Sequence, residues 1–410
     1  MSEDTLAAEI DVSGAPVTGE VASLLAGIQA HRAEFEAAGG LAEEMRTLPP
    51  AAVATLQSLG LFWLKTPAEF GGTPLTPLEF CDVLEELAFI DVSTAWATMI
   101  GNGCTGMAGG WLPDAGARRV FTGSLPLIAG QPQPRGTGRA VPGGFVVSGR
   151  WGFSSGIVHA GWVIGGFPAP DDPASCRVFV APKDDAEVID TWHVAGLQGT
   201  GSLDFRLSDV FVPTEMTYLR GGPSPRGEAL FKQPGHLFVD NEVPVLSVGL
   251  ARRALADTAS LAAQTWRFPG GPALGERAAF QKELGRALTR VRAARAVHRE
   301  AIAAAWAATL AGDVPPALLT ASLTASVYAV ETCADVVADL FRYAGGRALS
   351  LASPLQRHLR DALAARQHVS VSEEHYETAG RELVRSRESA PLPSSKISQR
   401  QMTYQDHRTG

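Results

Sequence analysis

Cysteine is scarce and unpatterned: Cys81, Cys104, Cys176 and Cys333 are the only four in 410 residues, and no two stand in a C-x-x-C spacing. This excludes a disulfide framework and a thiolate metal centre, and suits reduced, mostly buried thiols in a cytoplasmic protein. Basic residues are outnumbered, 35 Lys and Arg against 43 Asp and Glu, for a net charge of −8. A chain of that sign is a poor partner for DNA or RNA, whose affinity rests on neutralising phosphates. Nothing approaches the ~20 consecutive apolar residues of a membrane span. The start "MSEDTLAAEIDVSG" is acidic, with no basic region ahead of an apolar one, so neither a secretory signal nor a membrane partner is expected. Charged residues reach only 19% against 45% hydrophobic, the balance of a packed chain and not of a disordered one.

A chain of this length exceeds the ~250–300 residues at which single cores stop growing, so several domains are expected. Helical signals fill about Val21 to Phe121, where "PPAAVATLQSLGLF" opens on prolines and "TPLEFCDVLEELAFID" repeats apolar residues at three and four positions. Short β-rich runs such as "GGFVVSGRWGF" and "CRVFVAP" follow from about Leu127 to Pro213. A Pro/Gly-rich link, "GGPSPRGEALFKQP", leads back to helices, in one of which Phe280, Leu284, Leu288, Val291, Ile302 and Trp306 form a stripe while Arg286, Arg290 and Arg299 lie mostly off it. The expected class is mainly α with a central β-domain: an N-terminal helical domain (1–125), a small β-barrel (126–225), a C-terminal four-helix bundle (226–387) and a polar tail (388–410), with no internal repeat.

Three strings stand out. "GRWGFSSG", residues 149–156, sets an indole beside two hydroxyls, which reads equally as core packing or as a wall for a flat cofactor. "DTWHVAGLQGTGS", residues 190–202, carries Gly196, Gly199 and Gly201 with Thr200 and Ser202; it fits no dinucleotide fingerprint and reads as a glycine-rich hairpin or a place of close backbone approach to a ligand. "SPLQRHLRD", residues 353–361, is followed by His368, whose imidazole can exchange a proton near neutral pH or simply pack in the bundle.

In this order and spacing the strings resemble the acyl-CoA dehydrogenase superfold, most closely its branch of two-component flavin-dependent monooxygenases, over about Leu48 to Leu383. The resemblance implies an oxygenase using reduced FMN or FAD from a separate NAD(P)H:flavin reductase and O2, through a C4a-hydroperoxyflavin, to oxygenate an aromatic or heteroaromatic small molecule. It implies Trp151 against the flavin, Ser154 or Ser155 near its N5 and O4 edge, and Trp192, Thr200, Gly201 and Ser202 near the ring or ribityl chain. Arg277, Phe280 and Gln281, with Gly345, Gly346 and Arg347, correspond to places where the superfold meets flavin phosphate or ADP across a subunit boundary, which implies a homotetramer. Trp96, Met99 and Asn102, with Met107 nearby, correspond to the substrate side, and Asn102 stands where phenol hydroxylases of the branch often have histidine.

His368 falls where the dehydrogenases carry their glutamate base, and in the oxygenase branch a histidine there assists the reaction of reduced flavin with oxygen. Glu373 and Glu374 just beyond it, and Asp240 and Glu242 at the start of the bundle, are the carboxylates that could serve a dehydrogenase or oxidase with a displaced base. A scaffold that kept the fold without turnover is the third reading.

Overall fold

The computed structural model describes residues 19–239, 241–263 and 271–388. Six helices come first: α1 (Glu20–Ala30), α2 (Arg32–Met45), α3 (Pro50–Ser58), α4 (Pro77–Ile90), α5 (Val92–Trp111) and α6 (Asp114–Val120). Their starts follow local chemistry. Pro50 opens α3; Thr76 and Glu79 form a reciprocal capping box on α4; and the Asp91 carboxylate accepts the Thr94 N–H at 2.8 Å to cap α5.

Eight strands follow: β1 (Ile128–Pro134), β2 (Gly136–Val141), β3 (Gly144–Ser154), β4 (Trp162–Ala169), β5 (Asp172–Pro182), β6 (Glu187–Ile189), β7 (Leu203–Pro213) and β8 (Thr217–Leu219). They form two four-stranded sheets, ordered β1-β4-β5-β8 and β2-β3-β7-β6, in which only β1 and β4 pair in parallel. After the short α7 (Gly235–Val239) come the long helices α8 (Val243–Ala263), α9 (Ala278–Ala311), α10 (Pro316–Ala344) and α11 (Pro354–Ala365), then α12 (Glu374–Glu388). The stretch Pro316–Leu349, which contains α10, is long and apolar enough to cross a membrane by length and composition, contrary to the sequence expectation; half of its most apolar window is buried within the protein. Of the expected polar tail, 388–410, Glu388 ends α12 and residues 389–410 lie outside the described ones.

The stripe on α9 is buried at Phe280, Val291 and Ile302, but the arginines beside it do more than face water. Arg299 pairs with Asp82 of α4 at 2.7 Å, Arg290 with Asp339 of α10 at 3.1 Å, and Arg295 with buried Glu85 of α4 at 2.7 Å. Glu85 also takes Arg252 of α8 at 2.6 Å, so one carboxylate joins the N-terminal helices to two helices of the bundle. Removing it takes a buried carboxylate away from two guanidinium groups in a largely dry interface. Glu85→Ala is therefore expected to cost about 3–5 kcal/mol, read as a lowered urea midpoint, whereas Arg286→Ala, on the exposed side of α9, leaves the midpoint unchanged.

Candidate active site

Trp151 lies in the interior of the β-domain. It is fully buried, stacked on Phe205 at 5.1 Å and edge-on to Phe179 at 5.0 Å, and its indole N–H donates to the carbonyls of Gly166 and Gln133 at 3.0 and 3.2 Å. With both faces and its donor engaged it is a core anchor, which corrects the expectation that it packs against a cofactor.

The side chain that does face outward is Phe153, through a local break in the strand. Strand alternation would point Phe153 the same way as Trp151, but the β3–β7 register shifts between Trp151 and Ser154, and Phe153 adopts φ 57°. The bulge turns the Phe153 ring out, 66% exposed, edge-on to half-buried Trp192 at 6.0 Å, and turns Ser154 inward, where its hydroxyl is buried without a partner. Such an orphan costs free energy unless something pairs with it. Beside it the Ser155 and Ser202 hydroxyls meet at 2.6 Å and Ser202 and Thr200 at 2.7 Å, and Thr200 donates to the Leu197 carbonyl at 2.8 Å. Ser155 also lines a small cavity facing Ala97 and Gly101 of α5, with His159, whose Nε2 lies 3.0 Å from the Leu48 carbonyl.

The glycine-rich segment 190–202 is wedged between two helices. On the α2 side, Arg46 grips Asp190 with two bonds of 2.6 and 2.8 Å; Gly201 has φ 55°, and a Cβ there would stand 2.8 Å from the Thr47 hydroxyl. On the α11 side, the Leu197 N–H donates to Asp361 at 2.6 Å, Arg360 donates to the Ala195 carbonyl at 2.8 Å, and a Cβ on Gly196 would lie 2.1 Å from the Arg360 carbonyl oxygen. Gly196 and Gly201 thus serve close approach to the flanking helices, and the segment is not a hairpin. Arg46, Phe153 and Asp361 were not among the predicted site residues. "RHLRD" contained Asp361, but nothing local in the sequence marks Arg46 or the turn at Phe153.

On the bundle side, His368 follows α11. Its Nδ1 accepts the Ser370 backbone N–H at 3.3 Å and lies 2.7 Å from the Ser370 hydroxyl, which leaves the proton on Nε2. Its ring meets Trp96 of α5 edge-on at 5.6 Å, so two residues far apart in sequence and independently expected at the site come together. Burial lowers the imidazole's pKa to about 4, so the ring is neutral above that pH.

The rival carboxylates are elsewhere. Glu373 and Glu374 are exposed at the start of α12; Glu242 is buried in a salt bridge with Lys65; Asp240 lies outside the described residues. Asn102 is also spent: fully buried, it donates to the carbonyls of Leu61 and Thr98 and accepts the Leu64 N–H, all within 2.9 Å, so it ties a loop to α5 and has no group left for a substrate. Met99 is likewise in the core, while Met107 lines an open cleft.

At one end of the bundle, buried Phe280 touches Tyr343 at 6.3 Å, which brings the Arg277–Gln281 turn beside Gly345, Gly346 and Arg347. Phe280 is a packing residue there, Gln281 donates to the Gly275 carbonyl, and the Arg277 Nε is buried without a partner. Gly345 turns the chain at φ 69°. Among the described residues no group of three or more His, Cys, Asp or Glu could hold a metal ion.

A helical domain, a two-sheet β-domain and a helical bundle meeting at such a site define the acyl-CoA dehydrogenase fold. Residues 28–109 match the N-terminal domain of acyl-CoA dehydrogenases and residues 244–373 their C-terminal domain. Indole-3-acetate monooxygenase of Pseudomonas putida is 31% identical over 82% of this chain and 87% of its own. The flavin-dependent monooxygenase oxygenase subunit HsaA of Mycobacterium tuberculosis is 31% identical over 85% of this chain and 91% of its own. Among solved structures, the HsaA monooxygenase from M. tuberculosis superposes with a TM-score of 0.81 at 27% identity, covering 89% of this chain and 97% of that one. The 3-HSA hydroxylase from Rhodococcus sp. RHA1 does so with 0.82 at 26% identity, covering 90% and 97%.

The chain belongs to the flavin-dependent monooxygenases built on the acyl-CoA dehydrogenase fold, and is an oxidoreductase that depends on flavin. The designation of relatives as oxygenase subunits implies a separate component that supplies reduced flavin. The residues present fit such a cofactor: an outward aromatic pair for a flat ring, and an unpaired buried hydroxyl beside a chain of three others for its polar edge.

Asp361 offers a test of the wedge. Burial raises its pKa to about 7, so the stability of its protonated form is fully present below its ordinary value near 4 and is lost as pH rises through 7. Asn at this position keeps the acceptor for the Leu197 N–H without the charge. The melting temperature of Asp361→Asn relative to wild type should therefore rise from pH 5 to pH 8, measured by calorimetry at both.

Proposed function

We propose that this chain is the oxygenase component of a cytoplasmic two-component system, a homotetramer that takes reduced FMN or FAD from a separate NAD(P)H-dependent reductase and inserts one atom of O2 into an aromatic or heteroaromatic small molecule. Reduced flavin, when bound, supplies the two electrons that activate O2, of which one atom enters the substrate and the other leaves as water. The observation that carries this reading is the neutral His368 packed edge-on against Trp96 where, among the described residues, no carboxylate reaches.

Phe153 and Trp192 form the apolar wall for the ring, replacing Trp151 in that role, and Ser154 with the Ser155–Ser202–Thr200 chain supplies hydrogen bonds to its polar edge. Ser370 holds the His368 ring so that Nε2–H is the donor, the tautomer that can give a hydrogen bond to an oxygen developing charge beside it. Trp96 covers that imidazole and helps keep water from the site. Arg277 and the turn at Gly345–Arg347 hold the flavin phosphate, the unpaired Arg277 Nε being the donor. A dehydrogenase needs a carboxylate base beside its substrate, and Glu242, the buried candidate, is already held by Lys65.

His368→Asn tests this. Reduced-flavin binding should survive within a few-fold, while oxygenated product falls by about 10²-fold and hydrogen peroxide rises to account for the oxygen consumed. Unchanged coupling removes His368 from the mechanism. Bleaching of bound oxidised flavin by an acyl-CoA in the absence of reductase would replace the oxygenase reading with dehydrogenation.

A further inference from the structure

Helix α5 is buried along almost its whole length, and the exceptions form one line. Ile100, Gly103, Met107 and Trp111 are its partly open positions, spaced three or four residues apart and therefore on one face. Trp96, the residue against His368, starts the same face. At 1.5 Å per residue, Met107 lies about 16 Å further along.

Glycine marks this face too. A Cβ on Gly101, Gly106, Gly109 or Gly110 would come within 2.9 Å of a neighbour, so those four glycines are explained by packing. A Cβ on Gly103 would meet only Val239, at 3.9 Å. A mid-helix glycine costs roughly 0.5–1 kcal/mol relative to alanine, and at Gly103 no atom among the described residues requires it. A methyl group there would make ordinary contact with Val239, so the position is not forced to glycine by crowding as the other four are.

The stripe ends in a cleft of about 490 Å³ between α5, the β-domain and the 221–239 segment. Its walls are aromatic and apolar: Trp111, whose indole N–H is fixed to the Gly222 carbonyl at 3.0 Å, with Phe231, Tyr218 and Met107. Three cations line it and, among the described residues, no carboxylate does. Arg226 is neutralised by Asp114 and Glu69. Arg220 and Lys232 are exposed and, among the described residues, have no ion-pair partner. In a chain of net charge −8, two uncompensated cations over an aromatic cleft are a local reversal of sign. His236 nearby reports the same field: burial first, then the charges of His375 and Arg220, lowers its pKa.

We infer that this cleft admits the substrate and that Arg220 and Lys232 receive an anionic group on it, so that the molecule oxygenated is an aromatic acid whose ring enters along the Gly103 face toward His368. The inference rests on the oxygenase reading for what then happens to the ring, but binding of the acid does not. A carboxylate on an aromatic frame matches the cleft on both counts: ring against Trp111 and Phe231, charge-assisted hydrogen bonds at the mouth.

The test uses 1-naphthylacetate and its near-isosteric neutral amide, 1-naphthylacetamide, titrated into the full-length protein by calorimetry without flavin or oxygen. The acid should bind at least about tenfold more tightly than the amide, a difference of about 1.4 kcal/mol, and added salt should shrink the gap. Arg220→Ala/Lys232→Ala should abolish the discrimination while amide binding and the melting temperature stay unchanged, since both side chains are exposed. Equal affinity for acid and amide, failure of both to bind, or full discrimination in the double variant overturns the inference. The same variant titrated anaerobically with reduced FMN and reduced riboflavin separates the other source of an anion: if it loses preference for FMN, the two cations hold flavin phosphate and the substrate assignment fails. Loss of oxygenation in His368→Asn with acid discrimination intact would bear on the chemistry and leave the cleft's ligand standing.

Discussion

The arrangement of the site depends on the wedging of residues 190–202 between α2 and α11. A β-domain segment carrying Trp192, Thr200 and Ser202 is held on one side by Arg46 through Asp190 and on the other by Asp361 and Arg360 through the backbone at Leu197 and Ala195. Glycine at 196 and 201 lets the chain pass where any Cβ would collide. Three modules are thereby fixed with respect to one another at the point where their candidate functional groups converge. A site assembled from three domains needs such a constraint, because hydrogen-bonding and stacking partners must be held to within fractions of an ångström.

Buried charge enforces the same geometry further away. Glu85 with Arg252 and Arg295, and Lys65 with Glu242, are ion pairs at domain contacts, where their desolvation is offset only if the geometry is right. Such pairs specify one docking of helices more than they stabilise it. They also remove Glu242 from chemistry, which leaves an uncharged imidazole and an indole as the polar and apolar partners where the bundle meets α5. Burial that keeps His368 neutral keeps Nε2–H a hydrogen-bond donor across the physiological range, so that bond does not depend on a titration near pH 6.5.

The sequence of domains was legible because it rests on local signals: prolines and capping residues at helix starts, glycine and aspartate between strands, and a change of apolar period from helical to alternating. The three family strings meet in the fold, Phe153 against Trp192 and Leu197 against Asp361. Which side chain in a string does the work was not legible where it depended on a backbone turn or a distant partner. Trp151 and Asn102 look functional in isolation, and their roles are settled by partners that only the fold supplies: Phe179 and Phe205 around the indole, and the 61–64 loop around the amide. Phe153 was overlooked because alternation hides it, and only the bulge exposes it. The meeting of Trp96 and His368 was anticipated residue by residue, not as a contact.

The central claim is that reduced flavin lies against the Phe153–Ser155 bulge, the 192–202 segment and His368. Hydrogen–deuterium exchange, recorded anaerobically with and without reduced FMN or FAD, tests it most directly. The account predicts added protection in peptides covering 153–156, 192–202 and 366–370 together. Protection absent from all three, with reduced flavin demonstrably bound, would contradict it.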